Sequence, residues 1–217
     1  MNKRGRGLYK AAQEAAFAEQ AVKMIRLKYG NTNTYWINGL LVDTDYAGTL
    51  PAFYQALKKN GLAMGDISYV LATHYHPDHM GLIGELMKRG AKLVLVDVQK
   101  AAVHFSDPIF ERDCLAFVPV HEEEAVLISC EESRKFLSEL GISGEIVHTM
   151  SHSDDSVSLV LDDGSCFVGD LEPYEYIEAY EDAAALKRDW AKILDLSGKK
   201  AYFAHMPERD IVGLTNN

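Results

Sequence analysis

The chain has 217 residues, 47% hydrophobic and 25% charged, which gives enough apolar material for a full core and excludes a disordered, collagen-like or coiled-coil chain. Lys and Arg number 22 against 32 Asp and Glu, a formal net charge of −10, which disfavours nucleic acid and anionic membranes as partners. The length suits one large domain, expected over residues 24–217, with residues 1–23 as a helical or frayed N-terminal extension.

Residues 1–23 open with the basic Lys3, Arg4 and Arg6, but Gln13, Glu14, Glu19 and Gln20 interrupt the segment after them, unlike the apolar run of a signal peptide. No apolar run approaches the length of a transmembrane helix. The three cysteines, Cys114, Cys130 and Cys166, are far apart and form no CxxC pair. They predict a reduced, cytoplasmic setting without a disulfide framework.

Residues 24–29 and 34–43 read as paired strands around the turn 30–33. Residues 50–60 read as a helix stopped by Gly61, and 67–72 as a short buried strand. A helix over 79–89 closes at Gly90, followed by a strand at 92–96 and a helix near 97–105. Residues 106–124 read as irregular, ending in the acidic run 122–124. A strand at 125–129 and a helix at 131–140 come next, with Gly141 as its stop. Strands are expected at 145–149, 156–161 and 165–169, the last two flanking the hairpin signal Asp162-Asp163-Gly164. A helix at 182–194 and a strand at 201–204 complete the set. Strands and helices mix without strict alternation, which predicts an α+β chain of two mixed or antiparallel sheets with helices outside.

Three of the eight histidines fall within residues 73–81, Thr-His-Tyr-His-Pro-Asp-His-Met-Gly, where an apolar strand enters a helix. His74 and His76 are two apart, so extended backbone points both imidazoles to one side. Pro77 suits the first turn of the helix, and the chain turns there so that Asp78 and His79 return toward the same point. Four nitrogen and oxygen donors converging at a strand end suit divalent zinc, manganese or iron.

This His-x-His-x-Asp-His motif resembles the signature of the metallo-β-lactamase superfamily, and the resemblance extends over roughly residues 24–207. His152, Asp170 (in Phe-Val-Gly-Asp) and His205 (in Tyr-Phe-Ala-His) match the family's later ligand positions in order. The resemblance implies an αβ/βα four-layer sandwich of two mixed sheets with helices on the outer faces. It implies two divalent metal ions, zinc first, with iron or manganese as alternatives. One would take His74, His76 and His152, the other Asp78, His79 and His205, with Asp170 and a hydroxide between them. Asp78 would orient the hydroxide or receive a proton. Asp43 matches an aspartate that supports the ligands from behind, although it could instead cap a turn. The loop Met150-Ser151-His152-Ser153-Asp154-Asp155-Ser156 differs from the family's common Pro-Gly-His-Thr-Pro-Gly-Ser, which bears on the loop's shape.

The expected activity is metal-assisted hydrolysis of a small ester, lactone or thioester, as in glyoxalase II-like or lactonase-like members. Tyr174 lies four residues after Asp170 and resembles in position a tyrosine that assists acyl-homoserine lactonases, one residue closer to the aspartate there. Residues 170–182 carry six acids and no Lys or Arg, an acidic rim or a solvated loop that would repel RNA. The alternatives are a persulfide-dioxygenase-like redox enzyme with one iron, and a metal-holding domain without turnover. The expected partner is a small molecule, and a homodimer is compatible with the sequence. His104, His121 and His148 read as surface or core histidines, and Cys166 as core packing.

Overall fold

A computed structural model describes residues 22–214 apart from Tyr180. Most of the expected N-terminal extension, residues 1–21, lies outside the described residues. Six strands form the first sheet in chain order: β1 (Met24–Lys28), β2 (Asn33–Ile37), β3 (Leu40–Val42), β4 (Tyr69–Leu71), β5 (Lys92–Val96) and β6 (Val126–Ile128). The pairs β1–β2 and β2–β3 are antiparallel, and the remaining pairs are parallel. The second sheet has the order β11-β10-β9-β8-β7, from β7 (Gly144–His148), β8 (Val157–Leu161), β9 (Ser165–Gly169), β10 (Lys200–Phe203) and β11 (Arg209–Asp210). Only β9–β10 is parallel there. Both sheets are therefore mixed, as the α+β sandwich reading requires.

Strand periodicity makes the layers. Along β2 and β3, Tyr35, Ile37, Leu40 and Val42 face the second sheet, while Trp36 and Leu41 face the opposite way. Along β8 and β9, Val157, Leu159, Leu161 and Phe167 face inward, while Val160, Cys166 and Val168 face outward. Tyr35 meets Phe167 edge-on across the middle layer, with ring centroids 5.0 Å apart.

Helix α1 (Leu50–Lys59) covers the outer face of the first sheet with Phe53, Ala56 and Leu57, one stripe at helical spacing. Two short helices, α2 (Pro77–Met80) and α3 (Ile83–Met87), add Met80, Ile83 and Leu86 to the same layer, and α4 (Asp107–Arg112) adds Phe110. Helix α5 (Cys130–Glu139) differs, because Leu137 enters the middle layer and Phe136 packs on Tyr69. It joins β6 to β7, the edge strands of the two sheets, and closes the gap between them. Helix α6 (Ala183–Asp195) covers the outer face of the second sheet with Leu186, Trp190 and Ile193.

Several elements differ from the sequence expectations, each for a local reason. Residues 34–43 form two strands, because Asn38 (φ 46°) and Gly39 (φ 92°) make a tight hairpin turn between them. The expected helix 97–105 shrinks to one short turn at 97–99. The helix begins instead at Asp107, where Pro108 occupies its first turn. The helix expected over 79–89 is broken between α2 and α3. There the Thr44 hydroxyl accepts from the Leu82 amide at 3.2 Å and donates to the His79 carbonyl at 3.1 Å, standing in for helical partners.

Gly81 sits in that break. A methyl group on it would lie 2.2 Å from the Ala47 nitrogen and 2.6 Å from the Asp45 carbonyl oxygen, both backbone atoms that cannot swing aside. Gly81→Ala is therefore expected to cost about 1–3 kcal/mol, as overpacking does. Urea unfolding measures it, and a loss below about 0.5 kcal/mol, typical of a neutral surface change, would show that residues 45–47 do not press on the turn as described.

Candidate metal centre

The chain leaves β4 extended, so His74 and His76 project to one side, and Pro77 then starts α2 and brings Asp78 and His79 round to the same point. His152 comes from the loop after β7, Asp170 directly follows β9, and His205 follows β10. All seven side chains meet at one end of the two sheets. His74 Nε2 is 2.9 Å from His76 Nδ1, and His152 Nε2 is 3.2 Å from both. Asp78, His79 and His205 form a second group, with His205 Nε2 3.1 Å from Asp78 Oδ2. Asp170 stands between the groups. Its Oδ1 lies 3.4 Å from His79 Nε2 and 3.3 Å from His205 Nε2, and its Oδ2 lies 3.8 Å from His152 Nε2.

These donors fit metal ions better than they fit one another. Three imidazole nitrogens in a triangle cannot all be paired, since each is either a donor or an acceptor, so one contact must set like against like. Nitrogens bound to one tetrahedral zinc at roughly 2.0–2.1 Å stand about 3.3–3.4 Å apart, close to the spacing found. His79 Nε2 is fully buried and has no hydrogen-bond partner among the described residues. A buried polar atom left unsatisfied is costly, and a cation between the groups removes that cost.

A buried frame aims the ligands. Asp43, at the end of β3 with φ 58°, accepts from the Thr73 amide at 2.6 Å and from the Thr73 hydroxyl at 2.9 Å. Its Oδ2 also lies 3.1 Å from His79 Nδ1, which leaves Nε2 to face inward. Gly169 (φ 57°) lets β9 approach Thr73, because a methyl group there would lie 2.3 Å from the threonine hydroxyl. Asn33 holds the His205 loop, donating to the Phe203 carbonyl at 3.0 Å and to that of Met206 at 3.2 Å. Asp155 accepts from the Tyr75 amide and the Ser153 hydroxyl, both at 2.7 Å, and so ties the His76 turn to the His152 loop. Asp189 of α6 accepts from the Ser151 amide at 2.7 Å. Sequence reasoning misses Asn33, Asp155 and Asp189. Their partners are 38 to 173 residues away, and no local pattern marks them.

The titration pattern differs between the groups. Burial alone would lower His79, but the Asp43 and Asp170 carboxylates overcome it and raise the ring to about 10. Asp170 and Asp78 raise His205 to about 10. Burial opposes ionisation of Asp170, yet His205 and His79 hold its carboxyl well below the usual range. His74 and His152 are lowered instead, by burial first and by neighbouring imidazoles.

Clefts of different character flank the cluster. One, about 170 Å³, is lined by His152, Asp170, Leu171, Glu172, His205 and Met206 among others. Another, about 320 Å³, lies beside His76. Tyr174 lines neither, because its ring packs edge-on against Trp190 in the outer layer, 6.2 Å between centroids. It is not brought to the cluster. The acidic segment is also partly neutralised, since Glu175 pairs with Arg209, which stacks over Tyr176. Arg26 and Lys28 line a groove beside His205, two cations near the centre that composition did not reveal. His104 and His121 pair with Asp107 and Glu123 away from the cluster, and His148 bonds to the Asp154 carbonyl oxygen at 2.7 Å. Cys166 is buried, and burial pushes its thiol up to about 12, as suits core packing.

Residues 27–205 match the family model described as the metallo-beta-lactamase superfamily. Beta-lactamase-like protein 2 homolog of Drosophila melanogaster is 26% identical over 194 residues, covering 80% of this chain and 58% of that protein. Lactamase-like protein adaB of Aspergillus niger is 26% identical over 187 residues, covering 83% and 51%. The chain thus spans about half the length of these curated relatives. Among solved structures, metallo-beta-lactamase family protein TTHA1429 from Thermus thermophilus is 21% identical, with a TM-score of 0.61 over 87% of this chain and 74% of that one. TTHA1623, solved in a di-iron-bound form, is also 21% identical, with a TM-score of 0.62 over 87% and 94%.

The raised histidines dictate how metal enters. At pH 7 His79 and His205 carry protons in the metal-free protein, whereas His74 and His152 do not. A metal must displace those protons, so zinc loading is expected to release about two per chain, and affinity should rise with pH toward 10. Calorimetry in buffers of different ionisation enthalpy counts the protons. Release of none would mean that zinc avoids His79 and His205.

Proposed function

The chain belongs to the metallo-β-lactamase superfamily, and from that premise we propose that it is a dinuclear metal-dependent hydrolase of small esters, lactones or thioesters. The carrying observation is the placement of Asp170, whose two oxygens face two separate groups of imidazoles. His74, His76 and His152 would hold one ion, and Asp78, His79 and His205 the other, with Asp170 shared. Two divalent cations, zinc first and iron or manganese as alternatives, supply Lewis acidity and lower the pKa of a captured water to roughly 7.

The chain's own residues do the rest. Asp43 and Thr73 fix the His79 ring, so that the donor atoms need not reorganise during reaction. Asp78, whose Oδ2 lies 3.1 Å from His205 Nε2, would give one oxygen to the ion it shares with His79 and His205 and keep the other to take up the proton of the attacking water. Hydrolysis puts the water's oxygen on the acyl carbon, breaks the bond to the leaving oxygen or sulfur, and returns the proton to that leaving group.

Charge limits the substrate. Glu172 and Asp170 line the nearer cleft and the chain carries −10 overall, which disfavours RNA and DNA. Lys28, beside His205, can still meet one carboxylate or phosphate on a small substrate. Among the described residues, no helix is long and apolar enough to cross a membrane.

The test compares kcat/KM of the zinc-loaded protein for small esters, lactones, thioesters and a fluorescent RNA, with two variants. Turnover of a small substrate and neglect of RNA are expected. His76→Ala should lower kcat/KM by about 10³ or more, since it removes a ligand, whereas His148→Ala should cost about tenfold or less, since that ring only tethers a loop carbonyl. Equal losses would mean that the site is misplaced. One tightly held iron with oxygen uptake would favour the dioxygenase reading, and metal-loaded protein without any turnover the non-catalytic one.

A further inference from the structure

The 320 Å³ cleft beside His76 differs in character from the cleft at Asp170. Val98, Ala101, Ala102 and Phe105 make one wall, all apolar. Phe105 is 53% exposed, yet its ring stands 5.4 Å from the His76 ring, so a large apolar surface lies open to solvent next to a ligand imidazole. The remaining lining is polar and mostly engaged, apart from the Tyr75 hydroxyl, which is buried without a hydrogen-bond partner among the described residues. Asp155 uses its two oxygens on the Tyr75 amide and the Ser153 hydroxyl, and that hydroxyl also meets Ser156. Asp154 is exposed at the rim, and among the described residues no Lys or Arg lines the cleft. The walls thus offer apolar contact and repel an anion.

We propose that this cleft binds a neutral, apolar arm of the substrate, attached to the group that meets the metal cluster at His76. The inference rests on the hydrolase reading and narrows it, to esters or thioesters with an aliphatic acyl or alkyl chain rather than small polar ones. The cleft is continuous with the metal cluster, since His76 is both a ligand position and part of the cleft's lining. A volume of about 320 Å³ lies within the usual range for ligand pockets, roughly 300–1,000 Å³.

The experiment uses zinc-loaded protein and two ester series, one with acyl chains from acetate to octanoate and one with matching alcohol chains. In one series kcat/KM should rise about fourfold per added methylene, the equivalent of burying each, until the cleft is full. Ala101 is exposed, so Ala101→Trp fills the cleft without entering the core. It should lower the octanoate-to-acetate ratio, or its alcohol counterpart, at least about tenfold, the loss of two or more buried methylenes. Independently of turnover, 1-hexanol should shift the methyl NMR signals of Ala101 and Ala102 in the wild type and not that of Ala102 in Ala101→Trp. Flat dependence in both series, an unchanged ratio in the variant, or hexanol shifts absent from these methyls would each overturn the proposal. Hexanol shifts without hydrolysis of any ester, lactone or thioester would overturn the hydrolase reading and leave the apolar cleft standing.

Discussion

The carboxylate of Asp43 is buried at the end of β3, where three groups from the segment after β4, two of Thr73 and one of His79, bond to it or face it within 3.1 Å. An ionised group removed from water must be satisfied locally or it costs several kcal/mol. Asp43 meets that demand with the Thr73 amide and hydroxyl and with His79 Nδ1. The consequence runs outward. Thr73 is held against Gly169, so the second sheet ends beside the first and Asp170 arrives next to His79. With Nδ1 committed, His79 Nε2 must point at the cluster, where it faces Asp170 Oδ1 at 3.4 Å without a hydrogen bond among the described residues, a place a cation would fill.

How much of this is legible in the sequence depends on distance along the chain. His74, His76, Asp78 and His79 lie within six positions, and a strand turning into a helix brings them together by local geometry alone. His152, Asp170 and His205 each follow a strand of the second sheet, so the apolar runs before them mark their places. The supports are invisible by comparison. Asp155 and Tyr75 are 80 residues apart, and Asn33 and Met206 are 173 apart, so only the completed fold pairs them. The Asn38-Gly39 turn is a different case, because its hairpin signal lies inside an apolar run that reads through as one strand. Tyr174 shows the converse, where position after Asp170 suggests a role and packing on Trp190 takes the ring elsewhere.

The loop of residues 150–156 has side chains where the resembling family commonly has Pro and Gly, and it is held by different physics. Rigid backbone is replaced by hydrogen bonds from Tyr75 to Asp155 and from Ser151 to Asp189, with Lys192 bridging Asp189 and the His148 carbonyl oxygen. The exchange keeps His152 within 3.2 Å of two other imidazoles. It also builds the polar wall of the cleft beside His76, so loop support and substrate space are coupled in this chain.

On the proposed reading, Asp170 lies between two metal positions. A zinc-edge anomalous difference map from crystals of the zinc-loaded protein tests it most directly. Two peaks are expected about 3.5–4 Å apart, the usual separation in two-metal sites, one beside His74, His76 and His152 and one beside Asp78, His79 and His205. A single peak at full loading, or peaks away from Asp170, would mean that Asp170 does not bridge two ions.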